Sequence, residues 1–211
     1  MTGRAPVHEP FQRADQQREA AMLGMAVFLA SEVMLFGGLF AAALAIRFLH
    51  PDAVVAASRA LHVWIGAANT AILLTSSLAV ALAVEAAREG SGRRAAAALA
   101  AAAGLGVAFL CLKAFEYYSE YAEGMLPLPG TSASFASPAH RLFMDLYLIA
   151  TSLHAVHVGI GVMLLTVVAV RIAGGALALP GRAVVVETGG LYWHLVDIVW
   201  VFLYPLLYLA R

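Results

Sequence analysis

The sequence predicts an all-α polytopic membrane protein, five transmembrane helices in one bundle, and three observations carry the prediction. Of its 211 residues 62% are hydrophobic and only 12% charged, and the mean hydropathy of +0.83 is too high for a soluble domain of this length. Five stretches reach the ~20 mostly apolar residues that a helix needs to cross a bilayer, separated by charged or Pro/Gly-containing breaks. None of them alternates as a barrel strand would, so each is expected to satisfy its backbone hydrogen bonds as a helix.

Residues 1–21 are polar and lack the apolar core of a signal peptide, so they read as a cytoplasmic tail, with the mature protein expected to start here, before a membrane domain at 22–211. The first span, Met22 to Ile46, contains Glu32 in FLASEVMLFGGLF, about 15 Å along the helix and near the midplane. A charged side chain at the bilayer centre is disfavoured by roughly 2.5–3.5 kcal/mol on insertion scales. Glu32 must therefore be neutral, paired or facing other protein. Two readings stand for it: an acid hydrogen-bonded across a helix interface, or a functional proton or lipid-facing group.

The second span, His62 to Val84, carries Asn69, Thr70, Thr75, Ser76 and Ser77 as a polar strip for helix packing. The third, Ala95 to Ala114, begins with an alanine run, and its Gly104 and Gly106 permit close approach of a neighbour. Glu116, Glu120 and Glu123 follow it and precede the turn-rich LPLPGTSASFASP, so they are expected in an acidic external loop. The fourth span, Leu142 to Ile172, is longer than a crossing requires and is expected to tilt or project. Its His154 and His157 lie three apart on one face, compatible with two ligands to one metal, although histidines bridging neighbouring helices are the simpler reading. Asp145, nine residues before His154, falls on the opposite face near the membrane boundary.

The fifth span, Val186 to Leu209, is the most informative. Glu187, His194 and Asp197 fall on one stripe and are placed to form a polar seam, while Trp193 and Trp200 form an aromatic stripe beside it. The seam is read either as packing against a partner helix or as part of a proton or ion route. Tyr204 and Tyr208 approach the membrane–water boundary, and Pro205 is expected to bend the helix end.

Orientation follows from Lys and Arg in the connections. Arg4, Arg13, Arg18, Arg88, Arg93, Arg94, Arg171 and Arg182 lie on one side; Arg47, Arg59, Lys113, Arg141 and Arg211 lie on the other. The excess places the N-terminus inside and the C-terminus outside. Zero net charge without a long basic run gives no footprint for nucleic acid. The single cysteine, Cys111, excludes an internal disulfide and a cysteine-rich metal centre. No phosphate-cradling glycine motif occurs, and no hydroxyl pairs in sequence with a general base for intramembrane proteolysis.

In these residues the chain resembles subunit III of the haem-copper oxygen reductases, the cytochrome c oxidase subunit III family, in a five-helix bacterial form. The resemblance is carried in order by ASEVMLFGGLF, NTAILLTSS, FEYY, TSLHAVHVGIG and YWHLVDIVW, and it covers about Met22 to Tyr208. It implies an accessory subunit that binds no haem or copper itself. The family packs beside catalytic subunit I, whose complex carries those cofactors, helps the enzyme survive repeated turnover and supports proton uptake. Glu32 matches the glutamate of the SEV motif, the family's carbodiimide-reactive carboxylate. His154 and His157 match an HxxHV element, and Glu187, Trp193, His194 and Asp197 match E-x5-WH-x2-D. Trp200 continues the packing stripe, and Arg171 is similar to a basic residue associated with phospholipid headgroups. No metal ligand and no catalytic residue is implied in this chain.

The chain also departs from the seven-helix members, whose two additional N-terminal helices form one arm of a lipid-filled cleft. It begins with their third helix, which leaves open whether phospholipid binds within the chain. Asp145 matches no family role. The SEV form is closer to cytochrome c oxidases than to quinol oxidases. A subunit III-like partner of a quinol oxidase or nitric oxide reductase is the alternative, and an independent proton-coupled transporter a more distant one, since inverted repeats and broken helices are not evident.

Overall fold

The computed structural model describes residues 14–124 and 137–210. They form six helices: α1 (Ala14–Leu49), α2 (Pro51–Ala60), α3 (Val63–Arg88), α4 (Gly92–Ala122), α5 (Pro138–Ala173) and α6 (Ala183–Tyr208). All but α2 are long and apolar enough to cross a membrane. The five expected spans are present, and the helices outrun them. The first starts at Ala14, within the polar tail of the sequence reading, and the third continues to Ala122. Charged residues mark where a helix leaves lipid or turns inward; they do not stop its backbone ladder. Residues 125–136, most of LPLPGTSASFASP, and residues 1–13 lie outside the described residues.

Helix α2 is an addition to the sequence reading. Pro51 opens it where a missing N–H costs nothing, and Asp52 complements the positive end of its dipole. At 10 residues it is too short to span, and it turns Val54, Ala57 and Ser58 inward at the end of the bundle.

Helix α3 packs on α4, α4 on α5, α5 on α6, and α6 returns to α3, so these four close a ring. Helix α1 lies outside the ring against α6 and α5, while α2 contacts α5, α1 and α6. Burial follows this order: half (50%) of the most apolar window of α6 is buried, against 11% for α1. The central helix is therefore the one bearing Trp193, Trp200 and Tyr208, all at 0% exposure. Small residues make room for them. A Cβ on Gly106 would stand 2.6 Å from the Trp193 ring, and one on Gly161 2.7 Å from it, so the indole is held between bare backbone of α4 and α5. Gly104, by contrast, faces open space.

Candidate functional site

The SEV motif on α1 and the HxxHV motif on α5 meet. Glu32 Oε2 lies 2.9 Å from His157 Nε2, with the two side chains 14% and 12% exposed. The other ring nitrogen, Nδ1, is 2.8 Å from the carbonyl oxygen of Leu153, four residues earlier on the same helix. A carbonyl only accepts, so Nδ1 carries a hydrogen and donates it. Only one proton is then left for the Nε2–Oε2 line: either the carboxylic acid donates to a neutral imidazole, or an imidazolium donates to a carboxylate. In both cases the pair is neutral overall, which meets the requirement for a polar pair inside lipid. The Tyr192 hydroxyl donates to the His157 carbonyl at 3.0 Å, and Phe36 sets its ring edge-on at 5.2 Å from the imidazole. Helix α1, otherwise lightly packed, is thus joined to α5 by this shared proton and by the packing of Phe36 against His157 and His154.

His154 does not join this pair. It is fully buried, stacked on Trp200 at 5.2 Å and flanked by Phe109 at 5.6 Å, and neither ring nitrogen has a hydrogen-bond partner among the described residues. Sharing one helix face brought the histidines to one side of α5, where Phe36 of α1 meets both rings, but only His157 reaches Glu32, while His154 packs on Phe109 of α4 and Trp200 of α6. Among the described residues no three His, Cys, Asp or Glu side chains gather as a metal site.

The stripe on α6 is also divided. Glu187, 8% exposed, accepts from Arg18 Nη2 at 2.9 Å and from Arg88 Nε at 2.8 Å, tying α1 and α3 to α6 at one end of the bundle. His194 Nδ1 meets the Ser77 hydroxyl of α3 at 2.6 Å. The Asp197 carboxylate is 3% exposed and lies beside the same Ser77 hydroxyl. Trp200 donates from Nε1 to Thr70 Oγ1 at 3.0 Å, and the indole nitrogen of Trp193 is buried without a partner among the described residues. Glu187 therefore holds a level of its own at the end of the bundle, while His194 and Asp197 share Ser77 of α3. Arg171 is exposed in the last turn of α5, and Asp145 stands 4.0 Å from Arg141 on an exposed face.

The largest correction concerns α4. Lys113, Glu116 and Glu120 are not in an external connection; they are helical and 2%, 0% and 0% exposed. Lys113 Nζ donates to Glu116 Oε2 at 2.9 Å, to the Tyr147 hydroxyl at 3.0 Å and to the Tyr208 hydroxyl at 2.6 Å. Tyr208 donates onward to Glu116 Oε1 and Tyr147 to Glu120 Oε1, each at 2.8 Å. Tyr208, the last residue of α6, is therefore a buried member of this cluster. The spacing held the signal: Ala95, Leu99, Ala102, Gly106, Phe109, Lys113, Glu116 and Glu120 alternate steps of four and three along one buried stripe.

A model of the family described as cytochrome c oxidase subunit III matches residues 12–210. Cytochrome c oxidase subunit 3 of Thermostichus vulcanus is 28% identical over 196 residues, covering 93% of this chain and 90% of that protein. The probable cytochrome c oxidase subunit 3 of Rickettsia bellii is 30% identical over 91% of this chain and 69% of its own length. A heme-copper oxidase subunit I+III of Aeropyrum pernix is 32% identical over 96% of this chain, which spans only 24% of that longer protein. With nearly its whole length matched, the chain belongs to the cytochrome c oxidase subunit III family.

Proposed function

We propose that this chain is the accessory, cofactor-free subunit III of a bacterial cytochrome c oxidase. It lies in the cytoplasmic membrane against catalytic subunit I, stabilises that subunit through repeated turnover and supports proton uptake. The family match over residues 12–210 carries the reading. The relative whose name joins subunits I and III in one protein supports the choice of partner. Haem and copper belong to the partner subunits, and phospholipid is bound with Arg171 at the headgroup level. The N-terminus is inside and the C-terminus outside.

In this role Glu32 and His157 form a protonatable link between the outlying α1 and the four-helix ring. A link that holds one proton can change its donor and acceptor without leaving a net charge in lipid. His154, His194 and Asp197 serve helix packing, and Glu187 fastens the cytoplasmic end. Purification of the complex through a tag on this chain tests the assignment. Haem-bearing subunits of an oxidase should co-purify, and the chain expressed by itself should show no haem absorbance. Haem absorbance from the lone chain, or purification without such subunits, refutes it.

A further inference from the structure

The buried cluster on α4 has more acid than base, and its hydrogen bonds show where the excess lies. Lys113 is an ammonium: three acceptors stand within 3.0 Å of Nζ, matching its three hydrogens, and the rings of Tyr117, Tyr147, Trp200 and Tyr208 surround it at 4.8–5.6 Å. Glu116 accepts on both oxygens, from Lys113 on one and Tyr208 on the other, and its charge is balanced by the ammonium. Each tyrosine has a single hydrogen, already given to a glutamate, so the 3.2 Å contact between the two hydroxyls needs no further proton.

Glu120 is left over. Its Oε1 accepts from Tyr147, while Oε2 is buried with no hydrogen-bond partner among the described residues. Ionised, it would leave an unbalanced negative charge at 0% exposure, since among the described residues the one cation acting on it is Lys113, already paired with Glu116. Among the described residues, the charged or titratable groups around it are Lys113, Glu116 and Tyr117 on α4, Glu123 just past its end, Tyr147 on α5 and Tyr208 on α6, with His62 before α3 lying beside Glu123. Of these, Glu123 and His62 are partly exposed, 3.8 Å apart, one turn beyond Glu120 at the end of the bundle. Uncompensated buried charge is more costly than holding a proton.

We infer that Glu120 is a proton-binding site of this chain, carrying a proton on Oε2 beside a Lys113–Glu116 ion pair and exchanging it with water at the Glu123–His62 end. The balance is simple: an O–H bond forms at Oε2 with a proton from bulk water, and it breaks when that proton returns. The site is separate from Glu32, which sits on a different helix with its own partner, and it does not depend on the assignment to an oxidase.

Infrared difference spectroscopy of the intact complex, with glutamates labelled with carbon-13 at the side-chain carboxyl, tests the inference. Glu120→Gln keeps the volume and the acceptor for Tyr147; it should remove one protonated-acid carbonyl band and leave the carboxylate bands unchanged. In heavy water the same band should shift in the wild type. Lys113→Met should add one acid band, because Glu116 then needs its own proton. Loss of a carboxylate band in the Glu120 variant overturns the inference, as does a band that resists deuteration or an unchanged acid count in the Lys113 variant. The deuteration readout needs only the wild-type fold.

Discussion

Replacing Gly161 by alanine tests whether the Trp193 indole sets the spacing of α4, α5 and α6. The added Cβ would lie 2.7 Å from two carbons of the indole, where ordinary carbon contacts lie at about 3.5–4.0 Å. The ring has little room to retreat, because it also packs on Gly106 of α4, where an added Cβ would stand 2.6 Å from it. Overpacking of this kind costs about 1–3 kcal/mol. Alanine also gains about 1 kcal/mol of helix propensity over glycine, which would mask part of the effect. Gly159→Ala removes that ambiguity: it lies on the same helix two residues away with nothing within 4 Å, so it collects the propensity gain alone. The difference between the two variants is the packing cost itself, about 1–3 kcal/mol, or roughly 5- to 150-fold in the unfolding equilibrium. Denaturant titration of the purified chain in mixed micelles, followed by tryptophan fluorescence, reads it. Equal midpoints for the two variants would refute the sandwich as the source of the helix spacing.

Other expectations follow from the same contacts. Glu187→Gln removes the anion shared by two arginines that are 60% and 63% exposed, so solvent screening limits the loss to about 1–2 kcal/mol. It should be read as faster proteolysis near the start of α1 with the four-helix ring intact. Trp200→Phe keeps the stacking surface for His154 but drops the hydrogen bond to Thr70, a loss of about 0.5–1.5 kcal/mol in the same denaturant titration. For the proposed orientation, a cysteine at Glu89 should react with a membrane-impermeant reagent only after the cells are opened, and one at Glu123 in intact cells. The reverse pattern would invert the topology.

The spans were legible because a bilayer sets a length of apolar sequence, and five runs meet it whatever their packing. Their ends were less legible. Hydropathy closed the third span at Ala114 because Lys113 and Glu116 look like the water side, whereas the fold turns both inward and pairs them. Composition detects charge but not its direction; the alternating steps of four and three from Ala95 to Glu120 do. The same limit affected Glu187, His194 and Asp197. Their periodicity placed them on one helix stripe, but which neighbour each would meet depended on α1 and α3, and that is tertiary information. Glu32 was marked by its cost in lipid, while its pairing with His157 joins residues 125 positions apart and had no local signal. Helix α2 was missed because its ten amphipathic residues, opening on Pro51, resemble a loop by composition.

The central claim is that this chain serves an oxidase as an accessory subunit, with the Glu32–His157 pair as its protonatable element. It is tested most directly by following oxygen consumption through sustained turnover in three preparations of the complex: intact, lacking this chain, and carrying Glu32→Gln. The account predicts similar initial rates but earlier inactivation without the chain, with the Glu32→Gln complex also inactivating sooner than the intact one. The glutamine still donates to His157 and preserves assembly, so that difference reports the proton rather than the fold. Identical decay in all three preparations would contradict the account.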